Sequence, residues 1–115
     1  MGRINYIPER GDIVKLDLSP TKGHEQSGYR PFVILSRSIF NLKGGHAVGC
    51  PITSRIRHDP FEVLMNTEII KGAILTDQIR AVDYVSRRTK LVGKCPTEVL
   101  DEVTAKLSVL IQGKQ

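Results

Sequence analysis

The chain has no tryptophan, two cysteines, three tyrosines and three phenylalanines among its 115 residues. Cys50 and Cys95 are too few for a disulfide framework and form no C-x-x-C pair, while His24, His46 and His58 fall at no zinc-ligand spacing. No disulfide, structural metal or cofactor is expected. The longest clean apolar run, Phe32-Val33-Ile34-Leu35, is far below the ~20 residues that cross a bilayer, and residues 1–8 contain no apolar stretch of a secretory signal. These absences point to a cytoplasmic protein with no membrane partner. G-x-x-x-x-G-K-[ST], G-x-G-x-x-G and G-x-S-x-G are missing too, which removes the phosphate cradle, the dinucleotide site and the hydrolase elbow.

What remains is an ordinary globular composition, 40% hydrophobic and 25% charged, at a length that suits one domain spanning residues 1–115. The charge is uneven. Residues 1–95 hold 15 basic and 9 acidic side chains, whereas residues 96–115 hold 2 and 3, so the body carries the whole surplus of the +5 chain. A sequence pI near 9.5 fits either a polyanion partner or charge kept for solubility.

The local patterns are those of short strands. Within 12–18, Val14, Leu16 and Leu18 alternate with Lys15 and Asp17, the period of a half-buried strand. Residues 20–28 carry one proline, two glycines and no aliphatic side chain, which marks a long loop of the kind that is usually functional. Residues 32–36 read as a central strand set up by Arg30-Pro31, and 47–50 as a third strand that Pro51 should end or bulge. A second polar, basic loop follows over 53–60, then strands at 61–64, 72–76 and 79–82. Phe32 and Phe61 read as core, Cys50 and Cys95 as packed thiols, and the basic stretch 87–94 as a solvated face. A short turn is expected over 38–42. One true helix is expected over 96–111: Pro96 opens it, Glu98, Asp101 and Glu102 suit its N-terminal dipole, Val99, Leu100, Val103, Leu107, Leu110 and Ile111 recur at helical spacing, and Gly113 ends it. Six short strands and one helix indicate a mainly β fold, a small barrel or curled sheet with a C-terminal α-helix.

Several motifs then fall into one order. Gly11-Asp12 before a strand, Pro20-Thr21-Lys22-Gly23-His24-Glu25-Gln26, Gly28 with Arg30-Pro31, Pro51 with Thr53-Ser54, and Asp77-Gln78 together resemble the MazF/PemK toxins of bacterial toxin–antitoxin modules, over about residues 8 to 111. The resemblance implies an SH3-like barrel (MazF/CcdB-like) over about 8–94 with the helix at 96–111, present as a homodimer. It implies a sequence-specific, metal-independent endoribonuclease that cleaves single-stranded RNA, in particular mRNA, and so inhibits translation and growth. It also implies a MazE-like antitoxin with an acidic, extended segment, and a toxin–antitoxin complex that is a candidate for binding DNA.

The family's catalytic Arg and Thr fall on Arg30 and Thr53. RNA can be cut by its own 2′-OH, so the protein need only remove a proton, steady the charged phosphorane and protonate the leaving 5′-oxygen. Arg30 suits the phosphate through its planar fork, Thr53 can add a hydroxyl hydrogen bond, and Arg30 is a poor base because it stays protonated. The base is left between Glu25 and His24. In one branch of the family a His at this position works with an Asp matching Asp77 and an Arg two residues earlier; here that earlier residue is Leu75, which favours Arg30 and Thr53 over an Asp77/His24 pair, and Glu25 is counted with them in the catalytic set. His24, Gln26, Asp77 and Ser54 are further candidates for catalysis or RNA contact. Lys22, Tyr29, Arg55, Arg57, Arg80 and Arg87 are expected RNA contacts, through backbone and polar groups because stacking rings are scarce. Each has a plainer role open to it: a Glu25–Arg30 ion pair bracing the loop, Thr53 closing a turn at a strand end, Asp77 holding loop amides. Two rival functions use the same fold class, a CcdB-like gyrase poison acting through its C-terminal helix and an SH3-like nucleic-acid-binding module.

Overall fold

Alternation decides the first strand. In β1 (Asp12–Asp17), Ile13 enters one apolar cluster and Val14 and Leu16 enter another, all fully buried, so both faces of the strand are covered. The computed structural model describes residues 6–20, 23 and 25–113. After β1 come β2 (Tyr29–Ile34), α1 (Ser38–Gly44), β3 (Ala47–Thr53), β4 (Glu62–Asn66), β5 (Lys71–Leu75), a 3-10 turn (Thr76–Gln78), β6 (Arg80–Val82), β7 (Lys90–Lys94) and α2 (Thr97–Gln112). Among the described residues the strands pair antiparallel, in the order β4-β5-β3-β2-β1-β7, with β6 branching from β3. The architecture is mainly β with a C-terminal helix, the sheet forming a half-barrel.

The two clusters give the sheet its two sides. One gathers Ile13, Val33, Cys50, Ile52, Val63 and Ile74 beneath Leu100 and Val103 of α2, with Val99 and Leu107 packed alongside. The other joins Val14, Leu16, Leu18, Phe32, Ile34, Val82 and Tyr84. Burial of this kind contributes about 1.5–3 kcal/mol per large apolar side chain, so these clusters, not the loops, hold the frame on which the loops sit. Pro96 caps α2 and Gly113 ends it in the left-handed conformation at φ 78°, its N–H on the carbonyl of Val109 at 2.7 Å. Past Leu107 the helix overhangs, leaving Ile111 71% exposed.

Four sequence expectations are corrected. Pro51 does not end β3, because the strand changes partners there: on one side it pairs with β6 through Gly49 and with β5 from Ile52, and Pro51 falls in the gap where a missing N–H costs no ladder bond. A seventh strand, β7, was not expected: Leu91 and Gly93 pair with Val14 and Ile13 of β1, while Arg88, Lys90 and Lys94 stay exposed, the solvated face the sequence suggested. The short turn is a full seven-residue helix, α1, with Asn41 buried and donating to the carbonyls of Pro8 and Ser36. Phe61 stands at the end of a loop and is 37% exposed, unlike Phe32, which is fully buried as expected.

Candidate functional site

Two loops and one turn meet at the same end of the sheet. The first loop joins β1 to β2. Its neck is closed by Leu18 N–H on Gly28 O (2.9 Å) and Gly28 N–H on Ser19 Oγ (3.0 Å). Asp17 accepts the Ser19 amide at 2.9 Å, a bond that with the nearby Arg88 and Arg87 charges holds its carboxyl below the usual range. Arg87 reaches across from the β6–β7 connection and donates to the carbonyls of Asp17 (2.7 Å) and Ser19 (2.9 Å), and Arg80 donates to Leu18 O at 3.3 Å. The 3-10 turn fastens the far part of this loop: Gln78 Oε1 accepts the amide of Gln26 at 3.0 Å. Gln78 therefore makes the loop-amide bond that the sequence suggested for its neighbour Asp77.

Arg30 and Thr53 stand where the β2–β3 ladder runs out. The last pair is Phe32 with Pro51, and the next residues on the same face are Arg30 of β2 and Thr53 of β3. Arg30 is exposed, and its Nε donates to Ser27 O at 2.8 Å, which fixes the base of the fork. Thr53 is 8% exposed, and its Oγ1 accepts the Arg55 amide at 3.1 Å. That is the turn-closing bond its position predicts, and it leaves the hydroxyl proton to donate elsewhere. Gly72 of β5 makes this placement feasible: a Cβ there would lie 2.3 Å from Thr53 O.

Between the loops lies a groove in two joined parts. A cavity of about 470 Å³ is lined by Leu18, Glu25, Gln26, Pro51, Asp77, Gln78, Ile79 and Arg80, and a smaller one of about 180 Å³ by Thr53, Arg55, Arg57, Asp59, Glu62 and Leu75. Gln26, Asp77 and Gln78 line both. The structure thus brings Glu25, Gln26, Thr53, Arg55, Arg57, Asp77 and Arg80 to one groove. Ser54 is exposed immediately beyond Thr53. Tyr29 is exposed at the start of β2 with the Arg88 guanidinium 5.0 Å from its ring centre. Lys22 and His24 lie outside the described residues.

One residue of the groove, Glu62, carried no expectation from the sequence. It sits on β4 at 7% exposure, lines the smaller cavity, and accepts the amides of Arg57 (3.1 Å to each oxygen) and His58 (2.8 Å). An acidic residue at an inward strand position after a basic loop was the available signal. Beneath the groove, burial and then the Asp77 charge push the Cys50 thiol up to about 12. Another cavity, about 650 Å³, lies between α2 and Pro60–Phe61; it is mostly apolar and is lined by none of the candidate catalytic residues. Among the described residues, no three His, Cys, Asp or Glu side chains cluster as a metal site, and no helix is long and apolar enough to cross a membrane.

Residues 9–111 match the family model described as the PemK-like, MazF-like toxin of type II toxin–antitoxin systems. The chain is 37% identical over 106 residues to the endoribonuclease toxin MazF of Escherichia coli K12, covering 92% of this chain and 96% of that one. It is 29% identical over 109 residues to the endoribonuclease EndoA of Bacillus subtilis, covering 90% and 93%. The crystal structure of MazF from Deinococcus radiodurans superposes with a TM-score of 0.90 at 38% identity, covering 94% and 99%. A MazE–MazF complex from the same organism gives 0.84 at 38%, covering 94% and 98%.

Proposed function

This chain belongs to the PemK-like, MazF-like toxin family of type II toxin–antitoxin systems, and from that membership we propose that it is an endoribonuclease toxin. Its substrate is single-stranded RNA, foremost mRNA in the cytoplasm, cut at a specific sequence. The observation that supports the reading is one two-part groove lined by Glu25, Thr53, Arg55, Arg57 and Arg80, with Arg30, which lines neither part, exposed on β2 two residues beyond the last β2–β3 pair.

The nucleophile is the substrate's own 2′-OH, so the protein contributes a base and charge stabilisation. Glu25 takes the 2′-OH proton. Arg30, its Nε held by Ser27, offers its Nη groups to the non-bridging oxygens as negative charge gathers on the phosphorane, and the Thr53 hydroxyl adds a third donor. The 5′-oxygen leaves and is protonated by solvent, giving 2′,3′-cyclic phosphate and 5′-OH ends with no metal in the sequence of steps. Arg55, Arg57 and Arg80 bind flanking phosphates and base edges. The inhibitor is a MazE-like antitoxin whose acidic extended segment competes with RNA for the same cations, and the working unit is a homodimer.

The test is incubation of the purified protein with a long single-stranded transcript in EDTA. Discrete cuts bearing cyclic phosphate and 5′-OH ends support the reading. Binding without cuts returns the nucleic-acid-binding module, and inertness with blocked DNA supercoiling returns the gyrase poison.

A further inference from the structure

We propose that Glu62 is a positioning residue for RNA binding, the internal anchor that sets Arg55 and Arg57 into the groove. The proposal rests on the ribonuclease reading above. A carboxylate that is nine-tenths buried must be matched by donors, and Glu62 takes its donors from the loop that carries the two arginines: the Arg57 amide lies 3.1 Å from each oxygen and the His58 amide 2.8 Å from Oε1. The Glu62 amide closes the ring by donating to Asp59 O at 3.2 Å. His58 at φ 61° shows what this ring demands, since a non-glycine residue holds that left-handed conformation only where its surroundings fix it. From the other end, Thr53 Oγ1 accepts the Arg55 amide.

The loop is thus tied at both ends of the short arginine segment, at Thr53 and at Glu62, and all four side chains line the same cavity. The Glu62 oxygens face backbone amides, so the carboxylate holds the loop without forming an ion pair with either guanidinium group. Without the anchor, the arginines would have to be ordered by RNA itself, at the expense of affinity. Chemistry at Arg30 would be left largely intact, because its guanidinium is held by Ser27 O and not by the loop that Glu62 anchors.

The experiment measures kcat and KM for a single-site RNA across a range of salt. Glu62→Ala should raise KM by ~10-fold or more with kcat within a few-fold, and log KM should depend on log salt less steeply by about 0.7 for each phosphate no longer neutralised. Glu62→Gln, which keeps one acceptor oxygen, should fall between Ala and wild type. In an Arg55→Ala/Arg57→Ala background, Glu62→Ala should add little, because it acts through those residues. A lower apparent kcat at unchanged KM and salt slope would mean a smaller folded fraction only and would overturn the proposal, as would full additivity with the arginine changes. Should Glu62→Ala not fold, Glu62→Gln and wild-type amide exchange decide: the Arg57 and His58 amides should be protected, and exchange at the rate of an open loop would overturn the proposal. A wild type that cuts no RNA would fail the ribonuclease reading instead, a result separable from any of these.

Discussion

The two loops that wall the groove are secured in opposite ways. The β1–β2 loop is fastened from outside, at its neck by Arg87 and Arg80 on backbone carbonyls and farther along by Gln78 on one amide. The β3–β4 loop is fastened from inside by the buried carboxylate of Glu62. The first bears Glu25 and leads into Arg30; the second bears Arg55 and Arg57. On the proposed roles, Glu25 and Arg30 therefore rest on a different support from Arg55 and Arg57, with Thr53 the point where the two meet through the Arg55 amide.

That separation can be broken one residue at a time. The largest loss should come from Arg30→Ala, ~10²-fold or more in kcat, because a preorganised charge on the transition state is removed, while the melting temperature should hold since Arg30 is exposed and outside both clusters. Thr53→Ala should cost less in kcat, one neutral donor against a cation. Gly72→Ala sharpens the comparison from beneath: its Cβ would meet Thr53 O at 2.3 Å, so the protein should lose about 1–3 kcal/mol in denaturant titration and Thr53 should be displaced, lowering kcat. Gln78→Leu frees the Gln26 amide and should lower kcat by several-fold, whereas Gln78→Glu keeps the acceptor and should recover most of that loss. The smallest effect is expected at the thiols. Burial pushes Cys50 up to about 12 and Cys95 to about 11, so both stay protonated near neutral pH and should resist alkylation in the folded protein until denaturant is added.

How much of this was legible in the sequence differs between frame and site. Period-two alternation in β1 and period-3.6 spacing in α2 are written in adjacent residues, so those elements and the buried state of Phe32, Cys50 and Cys95 could be read directly. β7 could not, because its pairing partner β1 is remote in sequence and its own residues, Lys90-Leu91-Val92-Gly93-Lys94, read as surface without it. Pro51 misled for a related reason: whether a proline breaks a strand depends on which neighbour it faces, which only the branch of β6 from β3 reveals. At the site, ordered motifs nominated Glu25, Arg30, Thr53 and Asp77. Gln78 lay in the Asp77-Gln78 motif and Glu62 at an inward strand position, but both act on backbone amides, so which amide each holds emerged only from the fold.

The central claim, that this groove uses the RNA's own hydroxyl as nucleophile, is tested most directly with two oligonucleotides that differ by one atom, a 2′-deoxy sugar on the 5′ side of the scissile phosphate. Single-turnover reactions in EDTA should cut the all-ribose strand to a 2′,3′-cyclic phosphate and leave the deoxy strand whole, with binding of the two strands nearly equal. Cleavage of the deoxy strand would contradict the account.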